Sequence, residues 1–164
     1  MEKIKILRLT PKRWKEYKKL RLEALQQDPI AFGSSFEEEK NIPEKEWKKR
    51  LKTTLFAFSG DKIVGLITYN FRQKKKLKHI ADIYSVYVTK EFRKKGVGRE
   101  LMESAFFHIL KNTKIQKISL GVTPEQKAAV ELYKRFGFKV VGKFKKDMRV
   151  NNQFYDHLIM EKIL

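Results

Sequence analysis

The chain has no cysteine among its 164 residues. That excludes a disulfide scaffold, a zinc–cysteine site and a cysteine nucleophile. Histidine is scarce as well. His79, His108 and His157 stand far apart without the spacing of a ligand set, and each reads as a surface or strand residue, so no metal is expected. No apolar run approaches the ~18 residues needed to cross a bilayer. The start, Met1-Glu2-Lys3-Ile4-Lys5-Ile6, carries charges where a signal peptide needs an apolar stretch, so a soluble cytoplasmic protein with no membrane partner is the expectation. Acidic residues are also few: 19 Asp and Glu face 38 Lys and Arg, a net charge of +19. Such a surface suits nucleic acid, a ribosome or an anionic ligand. The lysines are nevertheless spread along the whole chain, and the tight run Lys74-Lys75-Lys76-Leu77-Lys78 falls between two expected strands, where it suits a solvated hairpin tip. Nucleic acid is therefore not the expected partner, although the basic surface should help draw in a negatively charged cofactor.

Hydrophobic residues make up 41% of the chain, which argues against disorder and for one domain over residues 1–164. Lys3–Leu9 alternates apolar and polar residues, as a strand does. Thr10-Pro11 is a helix start, with Thr10 as N-cap, and that helix runs over residues 11–27 to the Asp28-Pro29 stop. Ala31 to Phe36 reads as a loop, and Pro43-Glu44 opens a short helix through Lys52. Thr54–Ser59 and Lys62–Phe71 are strands joined by a Gly60-Asp61 turn. His79–Val88 is apolar enough to be central in a sheet. A helix follows over about 97–111, then a strand at Gln116–Val122, a helix from Pro124 to Phe136 capped by Gly137, and strands at Phe138–Lys145 and Phe154–Ile163 turning near Asn151-Asn152.

The junction between the central strand and the next helix is the most informative stretch. It reads Arg93-Lys94-Lys95-Gly96-Val97-Gly98, and Val97, Leu101, Ala105 and Ile109 then recur every four residues. A basic, glycine-bearing loop thus leads into a helix N-terminus, where N–H groups lack partners and the dipole favours an anion. The nucleoside-triphosphate pattern G-x-x-x-x-G-K-[ST] is missing. The dinucleotide pattern G-x-G-x-x-G fails at its third glycine, where Leu101 stands. The pyrophosphate loop [R/Q]-x-x-G-x-[G/A] is satisfied at every fixed position.

That loop, in that context, resembles the GNAT superfamily of acyl-CoA-dependent N-acetyltransferases. Ala128-Ala129-Val130-Glu131-Leu132-Tyr133-Lys134-Arg135-Phe136-Gly137-Phe138 resembles the family's A-x-x-L-Y-x-[KR]-x-G-F segment, and Asp156 to Lys162 its last strand. The resemblance implies an α/β fold: a mixed, mostly antiparallel sheet of six to seven strands flanked by helices, with a splayed parallel pair holding the cofactor. It implies acetyl-CoA as co-substrate, no metal and an amine acceptor. By resemblance, Val86, Tyr87 and Val88 contact the acetyl and pantetheine groups through the main chain. Arg93, Lys94, Lys95, Gly96, Val97, Gly98 and Arg99 hold the pyrophosphate, and Tyr133 serves as acid to the departing sulfur.

The chemistry agrees with those assignments. A thiol near ~8.5 needs only a mild acid such as a phenol near ~10. An alkyl amine near ~10.4 must lose a proton before it attacks. Many relatives carry a glutamate for that purpose where this chain has Gly121. Asp82, on one face of the central strand with Tyr84, is a candidate base acting through water, or else a structural carboxylate paired with a lysine. Gln126 stands where many relatives have an asparagine that contacts the cofactor. Phe32, Ser34, Ser35, Phe36, Glu38, Glu39 and Tyr155 are expected to line the acceptor pocket. The acidic run Glu37-Glu38-Glu39 either attracts a cationic amine or forms a solvated helix start. The lead expectation is acetylation of a small-molecule amine. The alternatives are a protein or peptide acceptor such as a ribosomal protein, and a catalytically weak acyl-CoA-binding or nucleic-acid-associated module. A homodimer through the last strands is a further expectation from the resemblance.

Overall fold

The computed structural model describes residues 3–164; the charged start at Met1 and Glu2 lies outside them. Among these residues seven strands form one sheet: β1 (Ile4–Leu7), β2 (Thr54–Ser59), β3 (Lys62–Phe71), β4 (Ile80–Val88), β5 (Lys117–Val122), β6 (Lys139–Val150) and β7 (Gln153–Ile163). Their spatial order is β1-β2-β3-β4-β5-β7-β6, with β4 at the centre as its sequence predicts. Every neighbouring pair is antiparallel except β4–β5, which is parallel.

Among the described residues, five α-helices cover the sheet: α1 (Trp14–Gln27), α2 (Phe36–Glu39), α3 (Glu44–Arg50), α4 (Val97–Leu110) and α5 (Lys127–Arg135). Side-chain alternation along the strands feeds two cores. Leu55 and Ala57 of β2 join α4 and α5 on one face, whereas Phe56 and Phe58 join α1 and α3 on the other. The α4 side chains that repeat every four residues, Val97, Leu101, Ala105 and Ile109, are all buried in the first core.

Several boundaries differ from the sequence expectation. Pro11–Arg13 forms a 3-10 turn before α1, and Thr10 is extended but makes no side-chain cap bond. Phe36, expected in a loop, opens α2 because Ser35 and Glu38 form a capping box: Ser35 N–H donates to Glu38 Oε2 at 2.6 Å and Glu38 N–H to Ser35 Oγ at 3.3 Å. α5 begins at Lys127 instead of Pro124, since Gln126 N–H still bonds to Thr123 in a turn. β6 runs on to Val150 through a bulge between Phe144 and Met148, with Lys146 at φ +52°. Asn151 and Asn152 both have positive φ and close the last hairpin where the sequence places it. No helix among the described residues is long and apolar enough to cross a membrane.

Candidate active site

The parallel pair defines a cleft. β4 and β5 stay in register from Ile80↔Lys117 to Ile83↔Leu120, and there the pairing stops. β4 continues to Val88 and β5 to Val122 without each other, so the edge of β4 that faces β5 lacks a strand partner from Tyr84 onward. Ser85 sits at φ +56° where the β3–β4 register shifts, and this bulge re-aims the residues after it. Val86, Tyr87 and Val88 therefore lie on a splayed strand edge whose main chain is open to a ligand.

The loop at the end of β4 has the backbone geometry of an anion cradle. Lys94 has φ +61° and Gly96 φ +83°, so the chain turns twice through the left-handed region before α4 begins. Glu100 N–H is the first to bond back, to Gly96 O at 3.1 Å. Among the described residues, the N–H groups of Lys94 through Arg99 have no backbone acceptor. A Cβ at Gly96 would meet nothing within 4 Å, so the space in front of these donors is open. The open cradle, free donors and helix terminus fit a pyrophosphate. Gly98 brings the first turn of α4 against α5: a Cβ there would lie 3.3 Å from Leu132 Cδ2.

The expected side chains divide by task. Arg93 braces the loop. Its Nε donates to Val88 O at 2.9 Å, its guanidinium pairs with Asp28, and it lies 5.7 Å from the Tyr87 ring centroid. Arg99 is exposed and bonds Glu103 at 2.7 Å. Lys95 lies over Phe92 at 5.1 Å, leaving the loop backbone uncovered. Gln126 occupies the N-cap position of α5. Tyr87 donates its hydroxyl to Glu23 at 2.9 Å, and burial together with that bond pushes its phenol up.

Tyr133 is fixed by the end of α5. Gly137 N–H bonds Lys134 O at 2.9 Å and Phe138 N–H bonds Tyr133 O at 3.1 Å, with Gly137 at φ +86°. This Schellman cap explains the motif, because its apolar contact joins the Tyr133 and Phe138 rings, 6.2 Å apart. Tyr133 is 5% exposed, and burial pushes its phenol up. Among the described residues, the one polar side-chain atom both sealed from solvent and unpartnered is Thr89 Oγ1, so the small exposed part of Tyr133 includes its hydroxyl.

Asp82 is held in a two-bond pair by Arg72, at 2.8 and 2.7 Å; the cation beside it is an arginine, where a lysine was expected. The acidic run does not present three free carboxylates. Glu37 pairs with Lys40 and Glu38 is used in the capping box. Glu39 is not solvated: it is buried against Arg21, at 2.9 and 3.1 Å, and against Arg50 at 2.9 Å. Burial pushes its carboxyl up, but the two guanidiniums more than offset this and hold it below the usual range. Arg21 also donates to Ser85 Oγ at 3.3 Å and stacks over Phe32 at 4.6 Å, so this ion pair ties α1 and α2 to the β4 bulge.

One cavity adjoins the end of β4 and another the end of β5. The larger, about 500 Å³, lies on the α1 face beside the β2–β3 turn, and its charges are partly spent on each other, as in Lys62–Glu91. The smaller, about 220 Å³, lies at the C-terminal end of β5 between Ile30, Phe32, Gly33, Val122, Thr123, Asp147, Met148 and His157. Of the expected acceptor residues, Phe32 lines it. Asp147 and His157 are the residues the sequence reading missed: His157 Nδ1 lies 3.1 Å from Asp147 Oδ2.

Comparison with known proteins agrees with this geometry. The sequence model of the acetyltransferase (GNAT) family matches residues 14–138. The L-amino acid N-acetyltransferase AaaT of Escherichia coli K12 is 26% identical over 123 residues, 71% of this chain and 75% of that one. A GNAT-family acetyltransferase of Streptococcus pneumoniae superposes with a TM-score of 0.87 at 24% identity over 99% of both chains. YncA of Salmonella typhimurium, solved with its cofactor acetyl-CoA, does so at 0.83 and 15% identity, covering 99% of this chain and 95% of that one. With the family match running from the start of α1 to the Phe138 that locks Tyr133, the chain belongs to the GNAT family of acetyl-CoA-dependent N-acetyltransferases.

Proposed function

We propose that the protein acetylates the primary amine of a small molecule by direct transfer from acetyl-CoA, in the cytoplasm where that co-substrate is held. The observation that carries the acceptor class is the cavity beside the cleft: about 220 Å³, walled by Ile30, Phe32, Val122 and Met148. That volume suits a small acceptor and not a folded protein surface. The E. coli relative, which acts on L-amino acids, supports the same class.

Acetyl-CoA supplies an acyl thioester. The free N–H groups of Lys94 through Arg99 grip its pyrophosphate, and the basic surface draws it in. The unpaired edge of β4 from Val86 to Val88 hydrogen-bonds the pantetheine arm, and an N–H on that edge donates to the thioester oxygen as it gains charge. Gln126, at the start of α5, reaches toward the same arm. Tyr133 donates to the departing sulfur. Because burial raises its phenol above the ordinary value near 10, it stays a proton donor throughout the neutral range. Asp82 is assigned a positioning role on β4, since both of its carboxylate oxygens are already engaged by Arg72.

The test is thiol release from acetyl-CoA with a panel of L-amino acids, aliphatic diamines and short peptides. Turnover with one of the small amines is expected, and Tyr133→Phe should lower kcat by about 10²-fold with little change in acetyl-CoA binding. Turnover with peptides alone would move the acceptor to the protein class. We further propose a homodimer through the last hairpin, where Val140, Val141, Phe144 and Phe154 are exposed. Sedimentation should show a dimer that Val141→Lys with Phe144→Lys converts to a monomer.

A further inference from the structure

Position 121 has no side chain, and the structure shows what stands there. A Cβ built on Gly121 would lie 2.3 Å from Nε2 and 2.5 Å from Cε1 of His157, so only glycine admits the ring. Gly121 lies opposite Ile159, and His157 projects from the same face of β7, toward the space after α1. The other ring nitrogen is engaged: Nδ1 lies 3.1 Å from Asp147 Oδ2. Asp147 reaches it from the β6 bulge, which is pinned where Lys146 N–H donates to Asp156 Oδ1 at 2.9 Å. Among the described residues Nε2 has no protein partner, and the His157 side chain is 32% exposed.

We propose that His157 is the general base that deprotonates the acceptor, with Asp147 as its positioning residue. The inference rests on the acetyltransferase reading above. Among the described residues, His157 and Asp147 are the only titratable ones lining the cavity just beyond the last β4–β5 pair. The ring is faced by Asp147 from β6, Gly121 from β5, and Ile30 and Phe32 from the segment after α1; Asp147 is the only charged group among them. An Nδ1–H donated to Asp147 leaves the Nε2 lone pair free and aimed over Gly121. Nε2 takes one proton from the ammonium form of the acceptor. The freed lone pair forms the C–N bond as the C–S bond breaks, and a second nitrogen proton balances the one that ends on sulfur. His157 then returns its proton to solvent.

The test uses the best small amine of the panel and follows kcat and kcat/KM from pH 5 to about 9.5, with acetyl-CoA binding read by thermal shift. In the wild type, an acidic limb is expected. His157→Gln should keep the acetyl-CoA shift, lose about 10²-fold or more in kcat at neutral pH, and narrow the gap at high pH, where the amine sheds its own proton. Asp147→Asn should lose less and move the limb. Gly121→Ala provides an independent arm: its methyl evicts the ring and should reproduce the loss with His157 intact. His157→Ala should recover part of its activity with added imidazole. A His157→Gln protein within twofold of wild type, with the same acidic limb, would overturn the proposal while leaving the acetyltransferase standing. A wild type that transfers to no amine would overturn both.

Discussion

Gly96→Glu should abolish the stabilisation that acetyl-CoA confers, while leaving a folded protein. Acetyl-CoA at 100 times its Kd should raise wild-type stability by about 2.7 kcal/mol. For a domain of this size that corresponds to roughly 5–10 °C in Tm. The glutamate acts in two ways. It places a carboxylate among N–H groups that would otherwise meet the pyrophosphate, and it strains a backbone held at φ +83°. The strain costs on the order of 1–2 kcal/mol in the left-handed region. No steric clash adds to it, because a Cβ at Gly96 meets nothing within 4 Å. Gly96→Ala separates the two effects: it carries the strain without the charge, so it should melt lower than wild type yet keep part of the shift. A full acetyl-CoA shift in Gly96→Glu would move the cofactor off this loop.

Glu39→Ala should cost about 3–5 kcal/mol, because it strands the Arg21 guanidinium in the interior. Side-chain exposures of 7% for Arg21 and 4% for Glu39 place this pair well inside, so the discount applied to surface ion pairs does not apply. A Tm drop on the order of 10 °C is expected by calorimetry. Arg21→Leu with Glu39→Leu should recover most of that stability, since removing both charges strands neither. It should not recover activity, because Arg21 also bonds Ser85 in the β4 bulge and stacks on Phe32 beside the cavity. The pair has a pH signature as well. The Glu39 carboxyl is held below its usual 4.5, so its contribution is present above that pH and is lost as pH falls through the lowered value.

The loop and the tyrosine motif were legible in the sequence because each is a local device. Gly96 and the repeat from Val97 to Ile109 specify a turn and a buried helix face within a few residues of one another. The Gly137-Phe138 pair reads as a helix stop, and the Schellman bonds that result hold Tyr133 in place. Glu39 was harder to read. As one of three consecutive acids at a helix start it looks solvated, and only the packing of α1 against α2 brings Arg21 to it. His157 was harder still: from sequence it is a lone histidine in a strand, and Gly121 is merely a missing glutamate.

The sheet-and-helix order, the glycine turn before α4 and the cap that holds Tyr133 are written locally, since turns, caps and helix periodicity depend on neighbours within one or two turns of chain. Which carboxylates pair with arginines, and which side chain fills the space over Gly121, follows from long-range packing. Those outcomes depend on strand register between β5 and β7 and on a bulge in β6, and a one-residue slip in either would send His157 or Asp147 to the opposite face.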